Sequence, residues 1–436
     1  MRRPSRSKPA RPRREQTTEV IELTVERLGA QGDGIATWQD ETIFLPFAVP
    51  GDRVRAALGA RRAGGREARV VELLSAGSGR ANPVCQHFGC CGGCTLQHLA
   101  AYDYHAVKLA GLEAALRRVG IDPAVVAPPQ TVPPHRRRAR LGLQRRRDPQ
   151  APAVVGFRER FRHALVDLGE CPVLEPALFA LMEPLRHLGS WLVAPGGTAE
   201  AMLTRCDSGI DLLIEAAAAP NLAALEALAA FAESHDLARI VWRADNTDTP
   251  VIERRPVRVV FSGIAVPFPP GGFLQASAAV EALLAAEITT AIGDREPVLD
   301  LYAGLGPFTL ALAKGRTVHA VEGDAAAVAA LGQAASRLRG ITVERRDLDR
   351  DPLTPVELAP YAAAVFDPPR AGARRQADAL ATSQLDIVVA VSCNPATFAR
   401  DAARLIAGGY HLERVVPIDQ FVWSPHLELV ATFRRS

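Results

Sequence analysis

Short runs in which apolar and polar residues alternate occupy residues 17–76. Turn-forming sequences such as Gly32-Asp33-Gly34 separate these runs. A period of two is typical of a strand with one buried face, and closely spaced turns are typical of small all-β domains. The pattern predicts a five-stranded β-barrel of the oligonucleotide-binding kind, although other small β-barrels share it. The apolar positions of the runs are Ile21, Leu23, Val25, Ile43, Leu45, Val54, Ala56 and Leu58.

A different pattern begins near residue 265, where apolar strands and helices alternate. Strands are predicted at residues 298–301, 317–321, 362–366 and 387–391, and helices at 276–292 and 324–339. The second helix has Asp324 placed as its N-cap and Gly340 just beyond its end. Such alternation predicts a parallel, doubly wound α/β sheet, whose ligands bind outside the carboxyl ends of the strands.

Residues 77–264 mix strand and helix patterns and are predicted to form an α+β central domain. A helix is predicted over residues 99–118. Further along, Arg158, Arg160 and Arg162 alternate with other residues, so a strand here would place three arginines on one face. A basic face suits RNA, and a solvated strand over an ordinary core is the alternative. A second basic group consists of Arg136, Arg137, Arg138, Arg140, Arg145, Arg146 and Arg147.

Length and charge add to this picture. A chain of 436 residues is too long for one hydrophobic core, which agrees with folded domains at 17–76, 77–264 and 265–436. Seven of the first fourteen residues are Arg or Lys, so residues 1–16 are expected to be a disordered arm that attracts RNA phosphates or merely aids solubility. No apolar run suits a membrane helix or a signal peptide. We therefore expect a cytoplasmic protein without membrane contact.

Polar residues at predicted strand ends indicate a nucleoside-containing cofactor. The strand from Val298 runs into a turn with Gly304 and Gly306, where the backbone can approach a ligand closely. Glu322 ends the next strand and can accept hydrogen bonds from ribose hydroxyls. These features also fit a dinucleotide. Asp367-Pro-Pro-Arg370, after another strand, is typical of nucleic-acid methyltransferases and favours S-adenosylmethionine as the cofactor. This cofactor carries a sulfonium cation and no phosphate, so carboxylates suit it better than a phosphate-binding loop.

Cys393 and Glu428 are the candidate catalytic residues. The chain has seven cysteines, and an odd number in a chain without a secretion signal favours metal or catalytic roles over disulfides. Cys393 lies where a strand ends and a helix begins, a position expected to lower the pKa of its thiol. A thiolate that adds to C6 of uracil makes C5 nucleophilic, and a base must then remove the C5 proton. Glu428 is the candidate base, although a lone glutamate in a strand is more often a surface residue.

The motifs of this chain resemble those of the RNA uracil-C5 methyltransferases, and in particular the iron-sulfur-containing 23S ribosomal RNA (uracil-5-)-methyltransferases. The resemblance covers essentially everything after the basic arm. The segments that carry it are Cys85-x5-Cys91-Gly-Gly-Cys94-Thr-Leu-Gln-His98, Gly169-Glu-Cys-Pro172, Phe273-Leu-Gln275, Asp300-Leu-Tyr-Ala-Gly-Leu-Gly306, Val321-Glu-Gly323, Asp367-Pro-Pro-Arg370, Ser392-Cys-Asn-Pro395 and His426-Leu-Glu428.

This resemblance implies an enzyme that transfers a methyl group from S-adenosylmethionine to C5 of a uridine in RNA. It implies that Cys393 is the nucleophile and Glu428 the proton acceptor. It also implies an N-terminal TRAM domain that binds RNA, a Rossmann-like C-terminal methyltransferase domain, and 23S ribosomal RNA rather than transfer RNA as the substrate, without an obligate protein partner. The implied cofactor contacts are Gln275, Tyr302, Glu322, Asp347 and Asp367.

The family further implies that Cys85, Cys91, Cys94 and Cys171 bind a [4Fe-4S] cluster. The residues alone would equally allow tetrahedral zinc at the same four sulfurs. Three positions depart from the common family pattern, since asparagine is frequent in relatives where this chain has Ser277, Pro307 and Asp347. These departures concern single cofactor contacts and leave the nucleophile and the base unaffected.

Two alternative functions remain open. An RNA cytosine-C5 methyltransferase shares the thiolate chemistry but carries a second cysteine where this chain has Asp367-Pro-Pro-Arg370. A non-catalytic RNA-binding or ribosome assembly protein could keep a methyltransferase fold, but the presence of both Cys393 and Glu428 argues against it. A radical mechanism is disfavoured by the cysteine spacing and by a fourth cysteine that leaves no open iron.

Overall fold

The computed structural model describes residues 19–133, 135–148 and 151–435. The predicted basic arm, residues 1–16, lies outside the described residues. The chain forms two compact units, of which the first reaches to Ala81 and includes His98–Ala100. The second consists of Asn82–Gln97 and the chain from Ala101 onward. Within the described residues, no helix is both long and apolar enough to cross a membrane.

The first unit is a six-stranded sheet with the strand order β1-β5-β6-β4-β3-β2. All eight apolar positions predicted from the alternating pattern lie in or against its core. Only two residues separate β1 from β2, so the order begins and ends on the same stretch of chain. The strands are β1 (Val20–Thr24), β2 (Arg27–Leu28), β3 (Gly34–Trp38), β4 (Glu41–Leu45), β5 (Arg53–Arg62) and β6 (Gly65–Ser75).

The second unit begins with a helix and a very short strand, α1 (Ala101–Arg118) and β7 (Gln130–Thr131). A six-stranded sheet with the order β13-β12-β11-β10-β8-β9 follows, and its three helices contribute to the same apolar core. Its elements are β8 (Arg138–Gln144), β9 (Val154–Gly156), α2 (Pro176–Phe179), α3 (Met182–Leu192), β10 (Thr198–Cys206), β11 (Gly209–Glu215), α4 (Leu222–Ser234), β12 (Leu237–Ala244) and β13 (Thr247–Glu253). A separate hairpin of β14 (Arg258–Phe261) and β15 (Ile264–Pro267) leads to the C-terminal region.

An eight-stranded sheet forms the C-terminal part, with the order β18-β17-β16-β19-β20-β22-β21-β7. The five strands from β18 to β20 run parallel, which confirms the parallel α/β sheet predicted from the alternating pattern. Its elements are α5 (Ala278–Ile292), β16 (Val298–Leu301), α6 (Pro307–Leu312), β17 (Val318–Glu322), α7 (Ala325–Ala335), β18 (Ile341–Arg345), α8 (Pro355–Leu358), β19 (Ala363–Phe366), α9 (Arg374–Ala381), β20 (Ile387–Ser392), α10 (Pro395–Ala407), β21 (Tyr410–Asp419) and β22 (Glu428–Arg435).

Helix α1 packs against the C-terminal elements, although Leu116 precedes Phe398 of α10 by 282 positions. Its buried residues Leu112 and Leu116 belong to the same apolar cluster as Phe398 of α10 and Phe433 of β22. Strand β7 pairs in parallel with β21 and so covers the edge of the sheet. The residues around 101–131 therefore pack with the C-terminal elements, while the sequence division at residues 77–264 stays a prediction.

Candidate active site

One cavity of about 1200 Å³ lies beside the carboxyl ends of the parallel strands, and all seven predicted catalytic and cofactor residues line it. Tyr302 follows β16, Glu322 ends β17, and Asp367 and Cys393 follow β19 and β20. Parallel strands bring their carboxyl ends to one edge of a sheet, so residues far apart in sequence meet there. The remaining three residues, Gln275, Asp347 and Glu428, reach the cavity from neighbouring segments.

The glycine turn after β16 binds the carboxylate of Glu322. The backbone N–H of Gly304 donates to Glu322 Oε2 at 2.8 Å, and the N–H of Asp324 donates to Oε1 at 2.7 Å. Gly306 has φ of +85°, and a Cβ there would come within 2.4 Å of Leu331, so the turn requires glycine at this position. Glu322 is thus fixed at the strand end, where the sequence predicts a ribose-binding carboxylate.

Tyr302 and Asp347 also line the cavity, and their side chains are held less firmly than the carboxylate of Glu322. The Tyr302 hydroxyl donates to Asp349 at 3.2 Å, and burial together with Asp349 raises its pKa. Asp347 accepts the backbone N–H of Asp349 at 3.2 Å, and its side chain is 54% exposed. Asp347 therefore contacts the rim of the cavity, while Tyr302 contributes to its wall.

Two carboxyl groups face the cavity near Cys393, those of the buried Glu428 and the partly buried Asp367. Burial, with a smaller contribution from Asp300, raises the pKa of Asp367 to about 7. Burial and Asp367 raise the pKa of Glu428 well above its ordinary value, against a hydrogen bond from Gln420 that lowers it. Glu428 is only 3% exposed, so the structure excludes the surface-residue interpretation of this glutamate.

Gln420 joins the side chains around these carboxyl groups, and the sequence analysis did not identify it. Its Nε2 donates to Gln275 Oε1 and to Glu428 Oε2, both at 2.8 Å. Gln275 Nε2 in turn donates to Asp367 Oδ2 at 3.3 Å, and Gln420 Oε1 accepts the N–H of Ala276 at 3.0 Å. The sequence feature that could have pointed to Gln420 is an amide residue directly after the apolar strand β21.

Cys393 lies between β20 and α10, where the sequence places it, but its thiol does not have the lowered pKa expected there. Burial and the carboxyl groups of Glu428 and Asp367 raise its pKa to about 11. Asn394, the N-cap of α10, uses its side chain to accept the N–H of Ala396 at 3.1 Å. Burial, together with the surrounding acids, thus outweighs the helix N-terminus, and the expectation of a lowered pKa is wrong for the protein without ligands.

Comparison with known proteins shows the family of this chain. Residues 257–435 match the family of tRNA (uracil-5-)-methyltransferases. An uncharacterized RNA methyltransferase of Brucella suis is 41% identical over 95% of this chain and 98% of its own length. A 23S rRNA (uracil(1939)-C(5))-methyltransferase of Halomonas elongata is 36% identical over 93% of this chain and 88% of its own length.

The chain belongs to the RNA uracil-5-methyltransferase family. It is an S-adenosylmethionine-dependent RNA methyltransferase of that family. The crystal structure of Pyrococcus abyssi tRNA (uracil-54, C5)-methyltransferase with S-adenosyl-L-homocysteine has the same fold, with a TM-score of 0.71 and 23% identity over 95% of this chain and 100% of that one.

Three arginines of the cluster near residue 140 face the active-site cavity, and Arg137 does not. Arg136, Arg138 and Arg140 line it, because alternate residues at the start of β8 share one face. Arg138 lies 5.7 Å from the ring centre of Phe273, which is 65% exposed. Arg137 points the other way into a buried ion pair with Glu281 at 2.6 Å, so it does not share the face of these three arginines.

Arg158, Arg160 and Arg162 do not lie on a continuous strand, so the condition for a shared basic face is not met. Residues 157–163 make a bend with isolated bridges from Cys91 to Glu159 and from Arg158 to Leu165. Phe161 is exposed at this bend and lies 5.2 Å from the Arg160 guanidinium. The period-two pattern here reflects a turn between short segments, so the three arginines do not share one strand face.

A second cavity, of about 440 Å³, is lined by the four cysteines that the family resemblance singles out: Cys85, Cys91, Cys94 and Cys171. Burial is the largest cause that raises the pKa of each thiol, and for Cys94 it reaches about 12. Within the described parts of the chain, no three His, Cys, Asp or Glu side chains converge closely enough to hold one metal ion. The geometry thus argues against zinc at a single point.

A four-iron cluster binds each cysteine through a different iron, so four thiols around one cavity suit it without converging on one point. Gln97, which is 4% exposed, lies against Cys94 and lowers the pKa of that thiol. Its Nε2 has no hydrogen-bond acceptor within the described residues, although its Oε1 accepts the N–H of Cys85 at 3.1 Å. A buried donor left over beside four thiols fits a bound group with sulfur acceptors.

Proposed function

We propose that this enzyme methylates C5 of a uridine in RNA through covalent catalysis, with Cys393 as the nucleophile and Glu428 as the base. The observation that carries the proposal is the shared cavity. Cys393, Glu428 and the fixed carboxylate of Glu322 all line it. A nucleophile, a base and a ribose acceptor around one space supply the groups that a methyl transfer to uracil needs.

The chemistry runs in balanced steps. The Cys393 thiol loses its proton to solvent, and the thiolate forms a bond to C6 of uracil while the C5–C6 electrons move toward O4. S-Adenosylmethionine supplies the methyl group to C5 from its sulfonium sulfur and leaves as S-adenosylhomocysteine. Glu428 then takes the proton from C5, the enolate forms again, and the bond between Cys393 and C6 breaks. The products are 5-methyluridine and S-adenosylhomocysteine, and Cys393 leaves C6 as a thiolate that takes a proton back from solvent.

The raised pKa values have consequences for these steps. A carboxylate with a raised pKa binds a proton more strongly, so the ionised form of Glu428 is a better acceptor for the C5 proton. The high pKa of Cys393 disfavours the thiolate in the free enzyme. A sulfonium cation in the same cavity would favour it, because an opposite charge stabilises the ionised form.

Glu322 is the proposed ribose acceptor, since backbone N–H groups hold its carboxylate at the strand end. Gln275, Tyr302, Asp347 and Asp367 are proposed as further cofactor contacts, because they line the same cavity.

The proposed substrate is 23S ribosomal RNA, the substrate in the name of the Halomonas elongata relative. Arg136, Arg138 and Arg140 line the cavity beside the exposed ring of Phe273 and would pair with phosphates and stack on a base. The target uridine must leave its stack to reach Cys393, so a loop or an opened helix is expected. Transfer RNA is the second candidate, as it is the substrate in the name of the Pyrococcus abyssi enzyme.

The domain roles follow the same proposal. Residues 17–76 are proposed to be an oligonucleotide-binding TRAM barrel, since the strand order of the first unit begins and ends on one stretch of chain. Residues 77–264 are proposed to bind RNA and the cysteine-bound cluster, and residues 265–436 to bind S-adenosylmethionine. The basic arm would add sequence-independent affinity.

Cys85, Cys91, Cys94 and Cys171 are proposed to hold a [4Fe-4S] cluster. Four thiols and the unpaired Nε2 of Gln97 around one cavity support this assignment. When bound, such a cluster would supply four Fe–S bonds that tie the cysteine turn to the segment around Cys171. Polar methyl transfer needs no electron, so the proposed role is structural.

Nucleoside mass spectrometry tests the proposed reaction. Unmodified 23S ribosomal RNA and transfer RNA are each incubated with the enzyme and S-adenosylmethionine, and Cys393→Ala serves as the inactive variant. We expect 5-methyluridine in the ribosomal RNA with the native enzyme alone. 5-Methylcytidine would overturn the base assignment, 5-methyluridine in transfer RNA only would overturn the substrate, and activity of Cys393→Ala would overturn the nucleophile.

A further inference from the structure

The segment between β21 and β22 carries Gln420 and leads directly into Glu428. We call residues 419–427 the base segment. On its inner side, Gln420 donates to Glu428 at 2.8 Å and so orients the carboxyl group. The position of the base therefore depends on what holds this segment in place.

Lys108 of α1 binds both ends of the base segment from its outer side. Its Nζ donates to Asp419 Oδ1 at 2.6 Å and to the Phe421 carbonyl at 2.9 Å. It also donates to the carbonyl of His426 at 2.5 Å. The three bonds use all three N–H donors of the ammonium group, and together they fix the residues that flank Gln420 and the residue two positions before Glu428.

Burial of the Lys108–Asp419 ion pair costs free energy, which indicates that its role is to position neighbouring groups. Lys108 and Asp419 are each 2% exposed, and burial lowers the pKa of Lys108. A buried ion pair is often no more stabilising than apolar residues of the same volume, so the role of this pair is to orient other groups rather than to stabilise the fold. Lys108 orients two backbone carbonyls at opposite ends of the base segment.

Other groups next to the cysteine cavity hold the middle of the base segment. The N–H groups of Thr95 and Leu96 donate to the Trp423 carbonyl at 2.7 and 2.9 Å. The Tyr104 hydroxyl accepts the N–H of Trp423 at 3.0 Å and is also hydrogen-bonded to Asp419. Phe421 lines both the cysteine cavity and the active-site cavity, so the segment is the wall between them.

We propose that Lys108 is a positioning residue for Glu428, and that the base segment transmits the anchoring of α1 and the cysteine turn to the catalytic base. This inference rests on the proposed role of Glu428. It concerns one step of the reaction, because Glu428 removes the C5 proton after the methyl group has been transferred. Loss of Lys108 therefore slows proton removal more than methyl transfer, and methylated RNA stays covalently bound to Cys393.

The test compares Lys108→Met with the double variant Lys108→Met/Asp419→Asn. The double variant removes both charges, and so avoids leaving a buried carboxylate without a partner. Arg239→Met is the matched control. Arg239 forms a comparable buried ion pair with Asp211 at 2.7 Å and donates to the Phe268 carbonyl at 2.9 Å, but it contacts no residue of the base segment.

Single-turnover reactions with radiolabelled methyl donor and the RNA substrate are resolved on denaturing gels. We expect the ratio of covalent methylated adduct to released product to rise about 10²-fold in both Lys108 variants, the size of effect that a misplaced catalytic group produces. Glu428→Gln, the positive control, should accumulate the same adduct. Arg239→Met should leave the ratio at the native value.

The outcomes separate the two hypotheses. A native adduct ratio in both Lys108 variants, with adduct in Glu428→Gln, overturns the role of Lys108 and leaves the proposed base intact. Equal losses of methyl transfer and release in the Lys108 variants also overturn it, since a general disturbance of the fold would produce them. A Glu428→Gln enzyme that turns over normally overturns the proposed base, and the inference with it.

Discussion

The active-site cavity and the cysteine cavity are both lined by residues with raised pKa values, yet they are held together differently. In the active site, Gln420 and Gln275 link Glu428 to Asp367 through hydrogen bonds of 2.8 to 3.3 Å. Around the cysteines, Gln97 lies against Cys94 and Glu170 against Cys85, and Nε2 of Gln97 has no acceptor among the described residues. The first site is preorganised by its own side chains, whereas the second would depend on the proposed cluster for its connections.

This difference has a physical basis. Carboxyl and amide groups can satisfy one another when buried, so a network of them is stable without a ligand. Thiols are weak donors and acceptors, and four of them cannot form such a network. We therefore expect ligand removal to affect the cysteine cavity far more than the active-site cavity.

Replacement of a cysteine should give the largest effect. Cys91 is 9% exposed and lines the cavity, whereas its neighbour Cys90 is exposed and lies outside the pattern. We expect Cys91→Ser to lose the iron and the visible iron-sulfur absorbance completely, and to melt at a lower temperature. Cys90→Ser should keep both. Iron and acid-labile sulfide analysis measures this, and an equal iron content in the two variants would contradict the assigned ligand set.

Loss of the central amide in the active site should give the next largest effect. Gln420→Leu removes the hydrogen bonds to Gln275 and Glu428, and we expect kcat to fall about 10²-fold. The matched control is Gln376→Leu, because Gln376 is fully buried and bonds the backbone of Leu353 away from the cavity. Steady-state kinetics on folded protein should show little change in kcat for this control. An unchanged kcat in Gln420→Leu would mean that the network is not needed.

The reactivity of Cys393 should depend on pH in a way that reports its neighbours. Because the pKa of the thiol is about 11, the thiolate fraction and the alkylation rate should rise about tenfold per pH unit between pH 7 and 10. Glu428→Gln removes a neighbouring negative charge and should lower the pKa. Alkylation by iodoacetamide, followed by peptide mass spectrometry, gives the rate at Cys393 alone. A rate that is already constant above pH 8 would contradict the raised pKa.

A smaller effect is expected for the buried carboxyl group of Asp300 behind the active site. Burial raises its pKa to about 7, well above the ordinary value of an aspartate, so between these two values the folded state binds a proton that the unfolded state has lost. Stability should therefore fall as pH rises from about 4 to 7 and then level off. In Asp300→Asn this fall should be weaker, by roughly 2–4 °C in melting temperature between pH 5 and 8. An equal change in melting temperature between pH 5 and 8 in the native protein and in Asp300→Asn would contradict this prediction.

The sequence was sufficient to predict the site residues that the parallel sheet brings together. Glu322, Asp367 and Cys393 could be placed in one site because each follows or ends a parallel strand, and parallel strand ends share an edge. The roles of Gln420 and Lys108 could not be predicted in this way. Each belongs to a contact between segments far apart in the chain, and neither the period of the pattern nor a motif specifies such a contact.

Two differences between the sequence analysis and the structure have local causes. The alternation around Arg158 left the strand conditional, because it spans too few residues to distinguish a strand from a bend. The pKa of Cys393 was inferred from the helix that follows it, but Glu428 and Asp367 approach it from β22 and from the end of β19. A pKa depends on all charges within reach, and the sequence near a residue supplies only some of them.

The packing of α1 on the last strands has a consequence for synthesis of the protein. Leu116 belongs to the same apolar cluster as Phe398 and Phe433, although Phe398 follows it by 282 positions. At roughly 5 to 20 residues per second, the ribosome needs about 15 to 60 s to make the intervening chain. During that time α1 lacks its partners in α10 and β22, and β7 lacks its partner strand β21. The catalytic unit therefore becomes complete only after β22 has been made, and a chaperone that binds exposed helices would have its longest opportunity at α1.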